Sequence, residues 1–217
     1  MTASQFKSAP EPTLRRLPRY LHLLFRLREG GLEDVSSTLI ARELKLDPTQ
    51  VRKDIEYTDI VGRPKTGYPI EDLIIAIEAF LNWNNTEDAF IAGVGNLGSA
   101  MLGYQRFKKY GLNFVAAFDT DKQKIGTQID TIPVLSIEKL PDLANRMKIK
   151  FGVLTVPPQY AQFVAEIMVE GGIKAIWNFA PCQLKLPDDV IVENAQLTQS
   201  LAVISRKLHE KKILGSD

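Results

Sequence analysis

A glycine-rich turn carries the clearest chemical pattern in the sequence. The segment Gly93-Val94-Gly95-Asn96-Leu97-Gly98 follows the apolar residues Phe90-Ile91-Ala92 and precedes a stretch with helical character. In such a G-x-G-x-x-G turn, the first glycine permits a tight bend and the second lets the backbone approach a pyrophosphate. The third allows close packing of helix on strand, and amides at the helix start stabilise phosphate charge. The pattern predicts a dinucleotide site at Gly93, Val94, Gly95, Asn96, Leu97 and Gly98.

An acidic residue follows at the distance that such a site needs. Asp119 ends the next predicted strand, 21 residues beyond Gly98, as in the dinucleotide fingerprint. A carboxylate there can accept hydrogen bonds from both ribose hydroxyls of NAD and repel the 2′-phosphate of NADP, so the sequence predicts NAD(H) as the cofactor. The alternative is that Asp119 only caps the next segment, since Asp121 is a nearby rival.

Two later strand ends place polar groups beside stiff turns. The segment Thr155-Val156-Pro157-Pro158 follows one predicted strand, and Asn178-Phe179-Ala180-Pro181 follows the next. Ligands of open sheets bind beyond the carboxyl ends of the strands, so both turns are candidate contacts for a nicotinamide ring. The alternative is that both are ordinary turns in which proline ends the strand. The candidate residues are Thr155, Val156, Pro157, Asn178, Phe179 and Pro181.

The elements that must position these residues alternate along the second part of the chain. Apolar strands are predicted at residues 89–92, 114–118, 132–134, 151–155, 175–178 and 190–192, with helices near 97–110, 137–147 and 160–171. Apolar strands separated by helices indicate a Rossmann-like, doubly wound parallel sheet in an α/β fold. An amphipathic helix at 196–212 follows, and the polar linker 82–86 marks the domain boundary.

The first part of the chain predicts a helix-turn-helix. An amphipathic helix at 13–28 is followed by a short helix capped by Ser36 or Ser37 and by a third helix with Asp47 at its N-cap and Pro48 at its first position. Two short helices joined by a tight turn are what the motif requires, here at about residues 20–59. In the third helix Val51 and Ile55 face inward. The residues predicted to face partly outward are Thr49, Gln50, Arg52 and Lys53.

A loop and a further helix complete this domain. The Gly/Pro-rich segment 62–69 carries the cations Arg63 and Lys65 and fits a β-hairpin wing, and a helix is predicted at 70–83. The sequence therefore predicts an N-terminal winged helix-turn-helix domain at 1–83, a Rossmann domain at 84–195 and a C-terminal helix at 196–217.

Composition excludes several classes of protein. The single cysteine, Cys182, rules out an internal disulfide and a cysteine-based metal cluster within one chain, and no metal site is predicted. No apolar run approaches the ~20 residues of a membrane span, and residues 1–12 lack a contiguous apolar stretch, so we expect a cytoplasmic protein. The net charge of +1 gives no support for nucleic-acid binding, although residues 1–28 carry six Lys and Arg against Glu11 alone.

The motifs together resemble the Rex family of redox-sensing transcriptional repressors, over nearly the whole chain. The resemblance implies a winged-helix domain that binds palindromic, double-stranded operator DNA as a homodimer. It implies a Rossmann domain in which NADH releases the DNA, and a last helix that reaches the partner subunit. The segments that carry it are Arg16-Leu17-Pro18-Arg19-Tyr20, Val35-Ser36-Ser37, Val51-Arg52-Lys53-Asp54, Gly93 to Gly98, Phe118-Asp119, Lys124-Ile125-Gly126, Thr155-Val156-Pro157 and Asn178 to Pro181.

Two groups of residues depart from the family pattern. After Asp54 the family usually continues with Leu or Phe and then Ser-Tyr-Phe-Gly, and its wing usually carries Arg-Gly where this chain has Pro64-Lys65. The family's switch network joins an Arg of the first helix, a Tyr of the fingerprint helix and an Asp before the last helix. This chain has His22, Tyr104 and Gln196 at those places, which implies an NADH response of altered strength or pH dependence, because imidazole can change its charge near neutral pH.

Two other classes of protein compete with a repressor. An NAD-dependent oxidoreductase needs a proton donor beside the nicotinamide. The two histidines, His22 and His209, lie outside the Rossmann core, and we expect neither a histidine nor a Tyr-x-x-x-Lys pair beside the ring. A CoA-binding or purely structural nucleotide domain would leave the N-terminal helices unexplained. The sequence therefore predicts a regulator and not an enzyme, with Thr49, Gln50, Arg52, Lys53, Arg63 and Lys65 at the DNA.

Overall fold

The computed structural model describes residues 8–195 and 197–214. The chain divides into two compact units, the first ending at Asn85 and the second beginning at Thr86. Within the described residues, no helix is long and apolar enough to span a membrane.

The first unit is built around its helices. They are α1 (Glu11–Glu29), α2 (Ser37–Leu44), α3 (Pro48–Glu56) and α4 (Ile70–Phe80). Each presents an apolar stripe to one core, in which Leu17, Tyr20 and Leu24 of α1 meet residues of the other three helices. Val51 and Ile55 are fully buried there, which confirms the inward face predicted for α3. The other core residues are Leu21, Leu23, Val35, Ile40, Ala41, Ile70, Leu73, Ile74 and Ile77.

Side-chain caps determine where the two central helices begin. The Ser36 hydroxyl accepts a hydrogen bond from Leu39 N at 3.0 Å and caps α2. The Asp47 carboxylate accepts from Thr49 N and Gln50 N at 2.8 and 3.0 Å and caps α3. Substituting such caps by alanine costs about 1 kcal/mol. The predicted start of α3 at Asp47-Pro48 is thus confirmed.

A small antiparallel ladder completes the wing. Strand β1 (Asp34–Val35) pairs with β2 (Tyr68–Pro69), and the loop before β2 closes through mutual backbone hydrogen bonds between Arg63 and Gly67. The predicted helix at 70–83 is too long, because α4 ends at Phe80 and Asn82 takes the left-handed conformation with φ 60°.

The second unit contains a twisted sheet in the strand order β5-β6-β4-β3-β7-β8-β9. From β6 to β9 the pairing is parallel and the order is that of a Rossmann fold. The sequence does not predict β5, a two-residue edge strand that pairs antiparallel with β6. The strands are β3 (Glu87–Ala92), β4 (Leu112–Asp119), β5 (Gln128–Ile129), β6 (Ile132–Ser136), β7 (Phe151–Leu154), β8 (Ala175–Asn178) and β9 (Ile191–Asn194).

The helices of this unit are shorter than predicted in two places. The fingerprint helix α5 (Asn96–Leu102) ends at Gly103, and a separate 3₁₀ segment runs over Gln105–Tyr110. Tyr104 lies between them, so its predicted place on the fingerprint helix is wrong. A second 3₁₀ turn (Ile137–Lys139) precedes α6, whose C-terminal cap, Lys148, is left-handed. The remaining helices are α6 (Leu140–Met147), α7 (Pro158–Glu170) and α8 (Leu197–Leu214).

The register of the sheet brings the strand ends into one row. Ala92 pairs with Phe118 on one side and with Leu154 on the other, Leu154 pairs with Asn178, and Asn178 pairs with Asn194. The segments that follow these residues therefore leave the sheet side by side at its carboxyl edge. They are the glycine turn, Asp119, the Thr155 turn, the turn after Asn178 and the segment before α8.

Candidate nucleotide and DNA sites

Two of the three fingerprint glycines are required by packing. Gly93 has φ 97°, and a Cβ on it would lie 2.8 Å from the carbonyl oxygen of Thr155. A Cβ on Gly98 would lie 2.0 Å from the carbonyl oxygen of Gly93. The first glycine therefore permits the bend and the third lets α5 approach it, as the fingerprint predicts.

Gly95 differs, because nothing lies within 4 Å of the place where its Cβ would stand. Its backbone is extended (φ −84°, ψ −166°), which any residue can adopt. The chain thus leaves open space at the point where the fingerprint requires a ligand to approach the backbone.

Thr155 fastens the glycine turn to the neighbouring strand. Its hydroxyl lies 2.7 Å from the carbonyl oxygen of Gly93 and 3.1 Å from that of Ala92. From the other side, Gly93 N donates to the carbonyl oxygen of Phe118 at 2.8 Å. Both neighbouring strands therefore hold the turn in place.

Asp119 stands beside the glycine turn with three donors around it. Val94 N donates to its carboxylate at 2.8 Å and Asp121 N at 2.9 Å, while Lys124 Nζ lies at 3.3 Å. Burial alone would raise its pKa, but these donors hold the pKa of Asp119 below its ordinary value. Asp119 is thus an anionic acceptor at neutral pH. Asp121 contributes a backbone amide and a more distant carboxylate at 3.8 Å from Lys124.

A cleft of about 840 Å³ opens at this edge of the sheet. Seven of the predicted cofactor-binding residues line it: Gly93, Gly95, Asp119, Thr155, Val156, Pro157 and Pro181. Sequence reasoning missed Lys124, although it lies in the Lys124-Ile125-Gly126 segment noted above. The other lining residues are Phe118, Thr120, Ile137, Pro158, Tyr160, Phe163 and Val164.

The remaining predicted cofactor residues lie outside that lining. Val94 and Gly98 are buried behind the turn, and Asn96 and Leu97 are exposed in the first turn of α5. Asn178 is fully buried, and its amide hydrogen bonds to the turn that follows it. Phe179 packs on Trp177 with ring centroids 4.7 Å apart and lines a neighbouring cavity.

Among the described residues, neither a histidine nor a Tyr-x-x-x-Lys pair lines the cleft, although the side chains of Tyr160 and Lys124 do. A Tyr-x-x-x-Lys spacing does occur at Tyr104 and Lys108, but neither residue lines the cleft. Tyr104 is half exposed, and its ring makes an edge contact with Phe107 at 5.2 Å between centroids.

The third helix of the first unit presents the predicted DNA-binding face in part. Thr49, Arg52 and Lys53 are exposed, as are Arg63 and Lys65 of the wing. Gln50 is half buried, because its side-chain amide donates to Asp54 Oδ1 at 2.9 Å. Gln50 therefore contacts the interior of the unit as well as its surface.

A buried carboxylate joins the third helix to the first. Asp54 is fully buried, and its oxygens accept from Thr13 Oγ1 at 2.9 Å, Arg16 Nε at 2.6 Å and Tyr20 Oη at 2.6 Å. Burial would raise its pKa, but these donors and Gln50 hold the pKa of Asp54 below its ordinary value. Burial, together with the hydrogen bond to Asp54, raises the pKa of Tyr20. The sequence places Arg16, Tyr20 and Asp54 in family motifs but does not predict that they form one network with Thr13 and Gln50.

The residues predicted for the switch are described only in part. His22 is exposed on α1 and lines a shallow hollow with Arg19, Leu23, Arg26 and Leu44. Tyr104 lies on the second unit, as described above, and Gln196 lies outside the described residues.

One chain thus carries a winged helix-turn-helix with an exposed basic face and a Rossmann unit with an open dinucleotide-type cleft. This combination is typical of a transcription factor that responds to a nucleotide. Comparisons with known proteins agree with both halves. Residues 8–55 match the family model of a DNA-binding protein N-terminus. Residues 84–182 match the family model described as a CoA binding domain.

Curated relatives match along almost the full length. The redox-sensing transcriptional repressor Rex of Treponema denticola is 48% identical over 93% of this chain and 96% of its own. The Rex protein of Bacteroides thetaiotaomicron is 42% identical over 94% and 93%. The chain belongs to the Rex family of redox-sensing transcriptional repressors, whose members are regulators and not enzymes.

Solved structures of this family have the same fold. A Rex-family repressor named RSP, crystallised with β-NADH, is 35% identical with a TM-score of 0.87 over 95% of this chain and 97% of its own. Its structure with β-NAD⁺ and operator DNA gives a TM-score of 0.88 at 35% identity, over 96% of each chain.

Proposed function

We propose that this chain represses transcription by binding operator DNA and that NADH, by occupying the cleft of the second unit, releases it. The observation that carries the proposal is the open space at Gly95, bounded by the anionic Asp119, in a chain that also carries a winged helix-turn-helix. The RSP structures with NADH, and with NAD⁺ and operator DNA, support it.

The cofactor is NAD(H). Its pyrophosphate lies against the backbone from Gly93 to Gly98, and Asp119 accepts from the ribose hydroxyls. The nicotinamide lies between the Thr155-Val156-Pro157 turn and Pro181, which line the same cleft. Asn178 shapes the second turn from behind, and Phe179 borders it.

The DNA lies against α3 and the wing. Arg52 and Lys53 contact the major groove and its backbone, with Thr49 and Gln50 beside them, and Arg63 and Lys65 contact phosphates from the wing. The proposed DNA-binding domain is 1–83, with the Rossmann domain at 84–195 and the C-terminal helix at 196–217. A protein that binds operators works where the chromosome is, so we place it in the cytoplasm.

The dimer forms through the C-terminal helix. On α8 the side chains of Leu201, Ile204 and Leu208 recur at helical spacing, and each is more than half exposed. A partner subunit would bury this stripe and bring two winged helices to the halves of a palindromic operator. Replacing Leu201 and Ile204 by Asp should convert the dimer to monomer in sedimentation, whereas the same change at the polar Gln199 and Ser200 should not.

The switch involves Tyr104, His22 and Gln196. His22 stands where the family resemblance implies an arginine, so His22→Arg should change the factor by which NADH weakens operator binding. An NADH effect on operator affinity that is the same in wild type and His22→Arg would remove His22 from the switch.

Operator binding with and without cofactor tests the function as a whole. Because the operator sequence is unknown, DNA is first selected from a random pool by the cofactor-free protein. Its affinity is then measured by fluorescence polarisation with NADH, NAD⁺, NADPH or CoA. We expect NADH alone to weaken binding strongly. Release by CoA and not by NADH would support a CoA site instead and overturn the proposal.

A further inference from the structure

One buried amide holds the turn that follows β8. Asn178 is fully buried, and its Nδ2 donates to the carbonyl oxygen of Cys182 at 3.0 Å while its Oδ1 accepts from Ala180 N at 2.9 Å. The amide therefore fixes the path of the chain from Ala180 to Cys182. Pro181, at the tip of this turn, lines the cofactor cleft.

The same amide also holds the segment that leads into α8. The second N–H of Asn178 donates to Asn194 Oδ1 at 2.8 Å, and Ala195 N donates to the carbonyl oxygen of Asn178 at 2.8 Å. Asn194 is the last residue of β9, and α8 begins at Leu197. Both N–H groups and the oxygen of the Asn178 side-chain amide thus have hydrogen-bond partners. One N–H donates to the turn after β8, and the other donates to the end of β9.

A second cavity borders both segments. It has a volume of about 580 Å³ and is lined by the turn, by Asn194 and Ala195, and by Thr198 of α8. Pro181 lines this cavity as well as the cofactor cleft. A ligand that displaces Pro181 therefore acts on a turn whose amide is hydrogen bonded to the segment before α8.

We propose that Asn194 is a positioning residue of the NADH response: its hydrogen bond to Asn178 couples the turn beside the cofactor cleft to the start of α8. The proposal rests on the proposed release of operator DNA by NADH. This hydrogen bond is partly buried, and its donor Asn178 is fully buried. Breaking it would leave a buried donor without its protein partner, which is costly. Movement of the turn is thereby passed to residues 194–195 and not absorbed within the turn.

Three proteins distinguish a coupling role from a structural one. For wild type, Asn194→Ala and Asn194→Asp, operator affinity is measured with and without saturating NADH, and NADH affinity is measured by its own fluorescence. The ratio of operator affinity without NADH to operator affinity with NADH is expected to lie within about 5–150 for wild type. Asn194→Ala should bind NADH and, without NADH, the operator as wild type does, but its ratio should fall towards one. Asn194→Asp keeps an acceptor for the Asn178 N–H and should keep the ratio.

Asn113→Ala is the matched control. Asn113 Nδ2 donates to Asp88 Oδ1 at 2.7 Å. This hydrogen bond joins β3 and β4 near the amino ends of both strands, away from the cofactor cleft. Its loss should leave the ratio unchanged. A wild-type ratio in Asn194→Ala would overturn the proposal. A ratio of one in the wild type would contradict the proposed function, and this proposal with it.

Hydrogen exchange of the wild type gives a test that needs no variant to fold. On adding NADH, exchange should change in residues 194–200 together with residues 178–183. A change confined to 178–183 in a protein whose operator binding responds to NADH would also overturn the proposal.

Discussion

The Asp119 carboxylate lies within hydrogen-bond distance of two backbone amides and a lysine. These contacts determine its charge and therefore which ligand groups it can bind. The donors keep it ionised, and Lys124 at 3.3 Å partly offsets its charge. In the proposed site this charge pair would face the 2′-position of the bound ribose, so Asp119 and Lys124 would act in opposite senses on a 2′-phosphate.

The first prediction concerns that choice of cofactor. In wild type NADH should bind far more tightly than NADPH, and Asp119→Ala should narrow the gap by at least about tenfold, or about 1.4 kcal/mol. Lys124→Met, which removes the cation and leaves Asp119, should widen it. Titration of both cofactors against the three proteins measures the gap. Equal affinity of the wild type for NADH and NADPH would contradict the role of Asp119.

The second prediction concerns Asp54. Removing one partner of a buried ion pair is costly, so Asp54→Asn should destabilise the first unit by roughly 3 kcal/mol. Arg15→Met, which removes an exposed pair with Glu11, should cost less than about 1 kcal/mol. Urea unfolding followed by Trp83 fluorescence, in a Trp177→Phe background, reports this unit, because Trp83 packs against its core. Equal midpoints for the two variants would contradict the network's role.

The direction of the Asp54 pKa shift determines how the stability difference between wild type and Asp54→Asn depends on pH. The pKa of Asp54 is lower in the folded chain than in the unfolded one, so the unfolded state binds a proton first as pH falls. The stabilisation by Asp54 is complete well above pH ~4 and is lost as pH falls through the folded pKa. The gap between wild type and Asp54→Asn should therefore be flat near neutrality and close only in acid.

Among the elements, the glycine turn contains one glycine that packing requires, Gly98, and one that only ligand binding requires, Gly95. Gly98→Ala places a Cβ against backbone and should destabilise the second unit by about 3 kcal/mol or more. Gly95→Ala places one in open space, so stability should be unchanged while NADH binding weakens by about tenfold, or about 1.4 kcal/mol. Thermal unfolding and NADH titration of both variants test this. Normal NADH affinity in Gly95→Ala would place the pyrophosphate elsewhere.

The third helix and the wing should contribute differently to DNA binding. Lys65→Ala, which removes a phosphate contact, should weaken binding to all sequences alike and lower the salt slope by about one. Arg52→Ala should instead relax discrimination at particular base pairs. Competition titrations with single-base operator variants at several salt concentrations distinguish the two. Unchanged affinity in both variants would contradict the proposed face.

The sequence predicted those elements whose signals are local. Helix caps at Ser36 and Asp47, and the spacing from the glycine turn to Asp119, need only neighbouring residues. The hydrogen bonds from Arg16 and Thr13 to Asp54 join residues 38 and 41 positions apart, and no local pattern encodes such pairing. The break after Leu102 was missed because the apolar spacing continues into the 3₁₀ segment, where Phe107 packs against Phe114.

For the whole molecule, function depends on energetic coupling between two units that each have a core of their own. NADH can release DNA only if it binds the DNA-free dimer more tightly than the DNA-bound one, and linkage then requires DNA to weaken NADH binding by the same factor. The fold was predictable because each unit is encoded in its own part of the chain, and the glycine turn and Asp119 of the candidate cleft are marked by local spacing. The proposed coupling was not predictable, because it would depend on contacts such as the hydrogen bond between Asn178 and Asn194, which no local pattern encodes.

The most direct test is a pair of titrations on the wild-type protein. Operator affinity is measured with and without saturating NADH, and NADH affinity with and without saturating operator. We predict that each ligand weakens the other by the same factor, within about 5–150. An operator affinity that does not change with NADH, in a protein that binds both, would contradict the account.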